Sequence, residues 1–331
     1  MNKPFLLKPA AKDYLWGGNR LNEEFAKEID AEPLAETWEC STHPDGLSVV
    51  STGIFYGKSL HEVLSEHKEY LGTHPLATFQ QSAAGQLPIL IKFIDANKDL
   101  SVQVHPTDEY AGKNEDGQLG KTEMWYVLDA KLGASLVYGL SQSVAREEME
   151  IALDKGDVEK YLQKVPVKKN DVFNIEAGTI HAIGAGVLVA EIQENSNLTY
   201  RLYDYDRTDK NGKKRELHIK KGLDVADLNK ATEPRQPLRV LRYQQGVARE
   251  LLSRCKYFEV YRMIVNTERR QKVTFKSDEL SFRVLLCVNG CGTISFEEEQ
   301  LQIYKGDCLF IPADSVEMRL HGKMQFLDVR C

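Results

Sequence analysis

Three absences narrow the class of this sequence. It has no C-x-x-C pair: Cys40, Cys255, Cys287, Cys291, Cys308 and Cys331 are scattered, which excludes the disulfide framework that staples small secreted domains. Its first nine residues hold no long apolar run: Phe5-Leu6-Leu7 is too short for a signal-peptide core or a membrane span, so no leader is expected. It also has no excess of positive charge. A formal net charge of −6 and a pI near 5.8 give neither nucleic acid nor an anionic membrane anything to be attracted to. Together these absences predict a cytoplasmic protein with reduced thiols, and leave room for a local basic pocket that takes a small anion.

What is present is an ordinary globular composition, 42% hydrophobic and 28% charged, in a chain of 331 residues, long enough for two domains. Short β-rich stretches bounded by turn formers recur at 89–94, 101–105, 123–128, 187–193 and 198–205. Two segments have helical spacing instead. Ser59-Leu60-His61-Glu62 has the form of a capping box ahead of Val63, Leu64 and Leu71, predicting a helix near 59–72. The charged, Ala/Leu/Glu-rich stretch 143–163 predicts a pair of short helices inserted between strands. After a polar linker at 229–236, further β-rich segments alternate with Gly, Asn and Asp turns up to the C-terminus. The expected fold is mainly β: two double-stranded β-helix (jelly-roll) barrels, 1–235 with a small helical insertion and 236–331 without one.

A long-range echo supports the pairing of barrels. Asn170-Asp171-Val172-Phe173-Asn174-Ile175-Glu176-Ala177-Gly178 resembles Gly306-Asp307-Cys308-Leu309-Phe310-Ile311-Pro312-Ala313-Asp314. The first stretch runs on into Thr179-Ile180-His181, the second into Ser315-Val316-Glu317. The second unit has lost the histidine and is expected to be structural, without a metal.

In a strand, residues two apart share a face. Ser101, Gln103 and His105 therefore point together, as do Lys121, Glu123 and Trp125, and Val187, Val189, Glu191 and Gln193. His181 follows a Gly-Thr turn after a strand, where such barrels place their last ligand. Two imidazoles, a carboxylate and an amide from Gln103, His105, Glu123 and His181 suit a borderline ion such as zinc. With a single carboxylate and no thiolate among the ligands, that ion keeps about one positive charge for a bound oxygen, which favours catalysis over a structural role. His43, His61, His67, His74, His218 and His321 lack such a context and are expected at the surface.

Several runs, in order, are similar to type I mannose-6-phosphate isomerases: Tyr14-Leu15-Trp16-Gly17-Gly18, Glu36 to Gly46, Leu87 to Pro106, Gly120 to Tyr126, Ala177 to Ala182, and Glu191 to Arg201. The resemblance covers the chain to about residue 220, and the length looks like the short bacterial branch. It implies a cupin fold, one zinc per chain on the four residues above, and reversible conversion of mannose 6-phosphate to fructose 6-phosphate through an enediol. It also implies Arg201 in the active site, with Lys121 and Glu191 beside the substrate; either of the last two could serve as the base. Lys92 and Ser101 are the candidates for the phosphate. Lys92 lies inside an apolar strand, so its ammonium must reach an anion or a carboxylate such as Asp95. After Arg201 the chain reads Leu-Tyr-Asp-Tyr-Asp-Arg, departing from the Ala/Gly-rich continuation of the longer enzymes. The competing expectations are another metal cupin (an oxygenase or a cupin-type glucose-6-phosphate isomerase) and a non-catalytic sugar-binding cupin.

Overall fold

The computed structural model describes residues 2–208, 212–234 and 239–331, so the expected boundary between residues 235 and 236 lies outside the described residues. Among the described residues the fold is mainly β, in three antiparallel sheets of ten, six and five strands. The six-stranded sheet is central, and its strands explain why. Ile89–Ala96 and Val187–Glu194 are buried along their whole length. Ile91, Phe93, Met124, Tyr126, Ala190 and Ile192 face one core shared with Phe282, Val284, Phe310 and Leu327 of the ten-stranded sheet. The alternate residues Ile94, Trp125, Val127, Val187 and Val189 face a second core shared with Leu136, Val165 and Ile183 of the five-stranded sheet. A strand apolar on both faces has to be covered on both, and each such side chain removed from water contributes about 1.5–3 kcal/mol.

The outer face of the five-stranded sheet (Val102, Val104, Ala182 and Leu202) is covered by Met149, Ala152 and Leu153 of the helix Arg146–Lys155 and by Leu223 of the helix Ile219–Val225. Both expected helical regions are present. Leu60–Glu66 carries the capping box, with Ser59 and Glu62 bonded reciprocally, and a 3₁₀ turn Lys68–Leu71 follows it. In the second region the pair resolves into the helix Arg146–Lys155 and the 3₁₀ turn Val158–Tyr161. The ten-stranded sheet is not drawn from the C-terminal part alone: Phe5–Lys8 pairs with Cys308–Ile311, and Val49–Val50 pairs with Phe5–Lys8. Phe5 stacks on Phe310 at 5.3 Å, which ties the start of the chain to that sheet. Among the described residues no helix is long and apolar enough to cross a membrane.

Candidate metal centre and active-site cleft

Three strand ends deliver three donors. His105 follows Val102–Val104, Glu123 opens Glu123–Ala130, and His181 opens His181–Ile183. The turns between them are tied together by backbone. Gly178, at φ +91°, donates its N–H to the carbonyl of His105 at 2.9 Å, and Lys121 donates to the carbonyl of Pro106 at 3.0 Å. One donor atom each from His105, Glu123 and His181 lies within 4.8 Å of the others, and all three residues are buried. Nε2 of His105 is 3.6 Å from Glu123 Oε2, and Nε2 of His181 is 3.4 Å from Glu123 Oε1. Gln103 pairs with His181 across the sheet and places its amide 3.3 Å from the same Nε2. All four expected ligands are thus brought together.

The chemistry of this cluster fits a cation. Each ring has Nδ1 on a backbone carbonyl, His105 on Leu198 at 3.0 Å and His181 on Thr179 at 2.8 Å, so Nδ1 carries the proton and the Nε2 lone pair faces the centre. Nε2 of His105 and Oε1 of Glu123 are buried without a hydrogen-bond partner, a situation that costs about 1–3 kcal/mol per group unless something binds there. Burial also pushes His105 well below the usual imidazole range and His181 down to about 4, so both rings are neutral, the form a cation requires. Burial, aided by the charge of Glu191, pushes the Glu123 carboxyl up to about 7. A positive ion at the centre would reverse that last shift.

Beside the cluster opens a cleft of about 320 Å³, lined by Lys92, Ser101, Gln103, Lys121, Glu191 and Arg201 among others. Two of these residues connect it to the buried donors: Gln103 through its amide, and Lys121 through an ammonium 2.8 Å from Glu123 Oε2. Strand register builds one wall, with Lys92 opposite Glu191 and Glu191 opposite Trp125. The Trp125 indole N–H donates to Glu191 Oε2 at 2.9 Å, and Lys92 Nζ lies 3.2 Å from Glu191 Oε1. Burial pushes the Glu191 carboxyl up, but Lys121 and Lys92 outweigh it and hold the group at about 2, an ionised carboxylate. On the opposite wall Arg201 pairs with Gln103, donates Nε–H to Ser101 Oγ at 3.3 Å, and donates from a terminal nitrogen to the carbonyl of Glu216 at 3.0 Å.

The structure corrects two expectations. Lys92 does not reach Asp95: residues three apart in a strand face opposite ways, and Asp95 is bonded to Arg20 Nε at 2.7 Å. The carboxylates near Lys92 are Glu191 and Glu36, the latter at 3.8 Å. Of the histidines expected at the surface, only His74 and His321 are exposed; His43, His61 and His67 are half-buried, and His218 is not a surface bystander either. It is half-buried, its Nδ1 accepts the Arg201 N–H at 3.2 Å, and its own N–H donates to the Arg201 carbonyl at 2.7 Å. Sequence reading also passed over Arg215, which lines the cleft and donates Nε–H to Asp204 at 2.8 Å; Arg207 bonds the same carboxylate. Asp204 lies in the stretch Leu202 to Arg207 that follows Arg201, and its ion cluster with Arg207 and Arg215 borders the cleft on that side.

Comparisons with known proteins identify the family. Residues 5–129 match the family described as phosphomannose isomerase type I, catalytic domain, and residues 248–330 match mannose-6-phosphate isomerase, cupin domain. The mannose-6-phosphate isomerase of Streptococcus mutans is 36% identical over 99% of this chain and 98% of its own length. A Bacillus subtilis relative, mannose-6-phosphate isomerase ManA, is 36% identical over 97% and 96%. A crystal structure of the Bacillus subtilis mannose 6-phosphate isomerase superposes with a TM-score of 0.88 at 34% identity, covering 99% of both chains. The Salmonella typhimurium enzyme, crystallised with fructose 6-phosphate and zinc, shares the fold with a TM-score of 0.77 at 17% identity over 99% of both chains. The chain belongs to the type I phosphomannose isomerase family.

Proposed function

We propose that this chain interconverts mannose 6-phosphate and fructose 6-phosphate with one zinc ion per chain, held by Gln103, His105, Glu123 and His181. The observation that carries the reading is the junction of buried donors and cleft: Gln103 and Lys121 each line the cleft while touching the His/Glu/His cluster. Two imidazoles, a carboxylate and an amide oxygen are a zinc-type donor set, and the ion bound there supplies Lewis acidity towards an oxygen that gains negative charge.

The reaction moves a proton between C1 and C2 of the sugar through an enediol. Glu191 and Lys121 face the cleft 3.9 Å apart and form the proton-handling pair. The carboxylate takes the proton from carbon, and the ammonium donates towards the sugar oxygen. Arg201 stays charged at any working pH and offsets the negative charge of the enediol oxygens; His218 holds its backbone in place. Ser101 and Lys92 take the phosphate. Although burial favours loss of the Lys92 proton, Glu191 and Glu36 outweigh it and keep the ammonium charged. The chain divides into two jelly-roll units, 1–235 and 236–331; the first carries the site, and its Phe5–Lys8 pairs with Cys308–Ile311 of the second. The free cysteines suit the cytoplasm.

A coupled assay for fructose 6-phosphate formed from mannose 6-phosphate tests the proposal. Turnover should vanish on chelation and return with zinc. Absence of turnover in metal-loaded protein, or turnover indifferent to chelator, would overturn it.

A further inference from the structure

The ten-stranded sheet carries a second, larger groove, of about 660 Å³, whose lining includes Arg242, Arg249, Arg254, Arg283 and Arg330. Strand register puts these residues on one face. Arg249 lies opposite Met263 and Met263 opposite Phe326, both core residues of the C-terminal part. The arginines form the next layer above that apolar core: the guanidinium groups of Arg249 and Arg283 lie 5.3 and 4.5 Å from the ring of Phe275, and that of Arg330 lies 5.8 Å from Tyr261.

The charges on this face do not balance. Asp328 takes Arg283, with Nε at 3.0 Å, and Glu259 takes Arg330 and Arg254, with Nε at 2.7 and 3.1 Å. A sixth lining arginine, Arg239, is taken by Glu250 at 3.3 Å, so four of the six have a carboxylate and Arg242 and Arg249 are left over. Arg242 and Arg249 stand directly opposite each other in adjacent strands, an arrangement that disfavours pairing when the charges are alike. Among the described residues no carboxylate forms an ion pair with either one, and Asp328, already engaged by Arg283, acts on Arg249 only through space. Arg249 is held by its contact with the sulfur of Met263 at 3.6 Å and the ring of Phe275, and its Nε–H is buried without a partner. A protein of net charge −6 has no general reason to concentrate arginine here. Guanidinium forks match phosphate oxygens two at a time, and a groove of this volume falls within the usual range for small-molecule sites.

We propose that this face is a second binding site, specific for a small molecule bearing at least two phosphate groups, with Arg242 and Arg249 as its principal donors. Isothermal titration of the metal-loaded enzyme with inorganic pyrophosphate tests it. Arg242→Ala removes an exposed side chain and should weaken the groove's binding about tenfold; Arg242→Ala with Arg249→Gln should weaken it further. Arg269→Ala, an exposed arginine outside the groove, should leave it unchanged. Turnover should be equal in all four proteins. Chelation of the metal and occupation of the first cleft are common to all four, so they cancel in the comparison. No saturable pyrophosphate binding by the parent protein, equal affinity in parent and Arg242→Ala, or an equal loss in Arg269→Ala would each overturn the proposal.

Discussion

Residues 170–181 and 306–317 have the same backbone design and opposite chemistry. Asn170 and Gly306 both open their segments in the left-handed region, at φ +73° and +105°. Asp171 accepts the N–H of Lys168 at 3.0 Å, and Asp307 accepts the N–H of Tyr304 at 2.7 Å, three residues upstream in each case. The strands Val172–Ile175 and Cys308–Ile311 follow, then a second left-handed residue, Gly178 at +91° or Asp314 at +50°. One segment then delivers the buried His181 to a metal centre, and the other ends at the exposed Glu317. The turn geometry is therefore a property of the scaffold, whereas the metal site depends on what neighbouring strands bring. Glu123 and Gln103 converge on His181, while among the described residues Glu317 belongs to no group able to hold a metal.

The most severe test of this contrast replaces the two end residues. His181→Ala should lose the metal and lower turnover on the order of a thousandfold, in a protein that remains folded by circular dichroism. Glu317→Ala should leave metal content and turnover within about twofold of the parent; comparable damage from both would break the comparison. Next in size, Arg201→Ala should retain the metal and lower kcat about a hundredfold, as removal of one preorganised donor does. A kcat unchanged under saturating substrate would take Arg201 out of the chemistry.

The turns themselves should respond unequally. At Gly306 a Cβ would meet the carbonyl oxygen of Phe25 and would also be strained by the positive φ. Gly306→Ala is expected to lower stability in urea by about 2 kcal/mol or more. Asn170→Gly tolerates its φ and loses the bond that Tyr126 donates to Asn170, about 1 kcal/mol. Smallest is a titration at the seam between the two halves, where Tyr257 donates to Asp108 at 2.8 Å and Glu194 adjoins Asp108. Burial, with help from Asp108, pushes the Glu194 carboxyl up to about 8. A folded-state value above the unfolded one, roughly 4.3, gives stability that is present at low pH and lost as pH rises through the folded value. Between pH 6 and pH 9 the Tm of Glu194→Gln should therefore fall less than that of the parent, by a few degrees. Parallel Tm profiles would remove Glu194 from the pH response.

What could be read in advance follows from how local each signal is. The capping box at Ser59 and Glu62 spans four residues, and the i, i+2 rows carrying Gln103, His105 and Glu123 need only strand periodicity. His218 was illegible because its task is to bond the backbone of Arg201 across a loop, which leaves no periodic trace. The pairing of Phe5–Lys8 with Cys308–Ile311 joins opposite ends of the chain, and no local pattern encodes such a pairing. The arginine face was hidden for a related reason: Arg242, Arg249, Arg283 and Arg330 come from four separate strands and meet only through register. Lys92 was half legible. Its need for an anion followed from the apolar strand around it, but the choice of Asp95 ignored the face on which a residue three positions away must lie.

The doubly covered central sheet also limits how this enzyme can be cut down. Glu191 faces the substrate cleft, while its chain neighbours Ala190 and Ile192 pack against the core shared with Phe282 and Phe310. Amputating the C-terminal part to obtain a minimal catalyst would strip Ile91, Met124 and Ile192 bare on the reverse of the very strands that hold Lys92, Glu123 and Glu191. The reagent-bearing side of the sheet has no independent existence, and shortening the chain from that end would dissolve the catalyst along with its support.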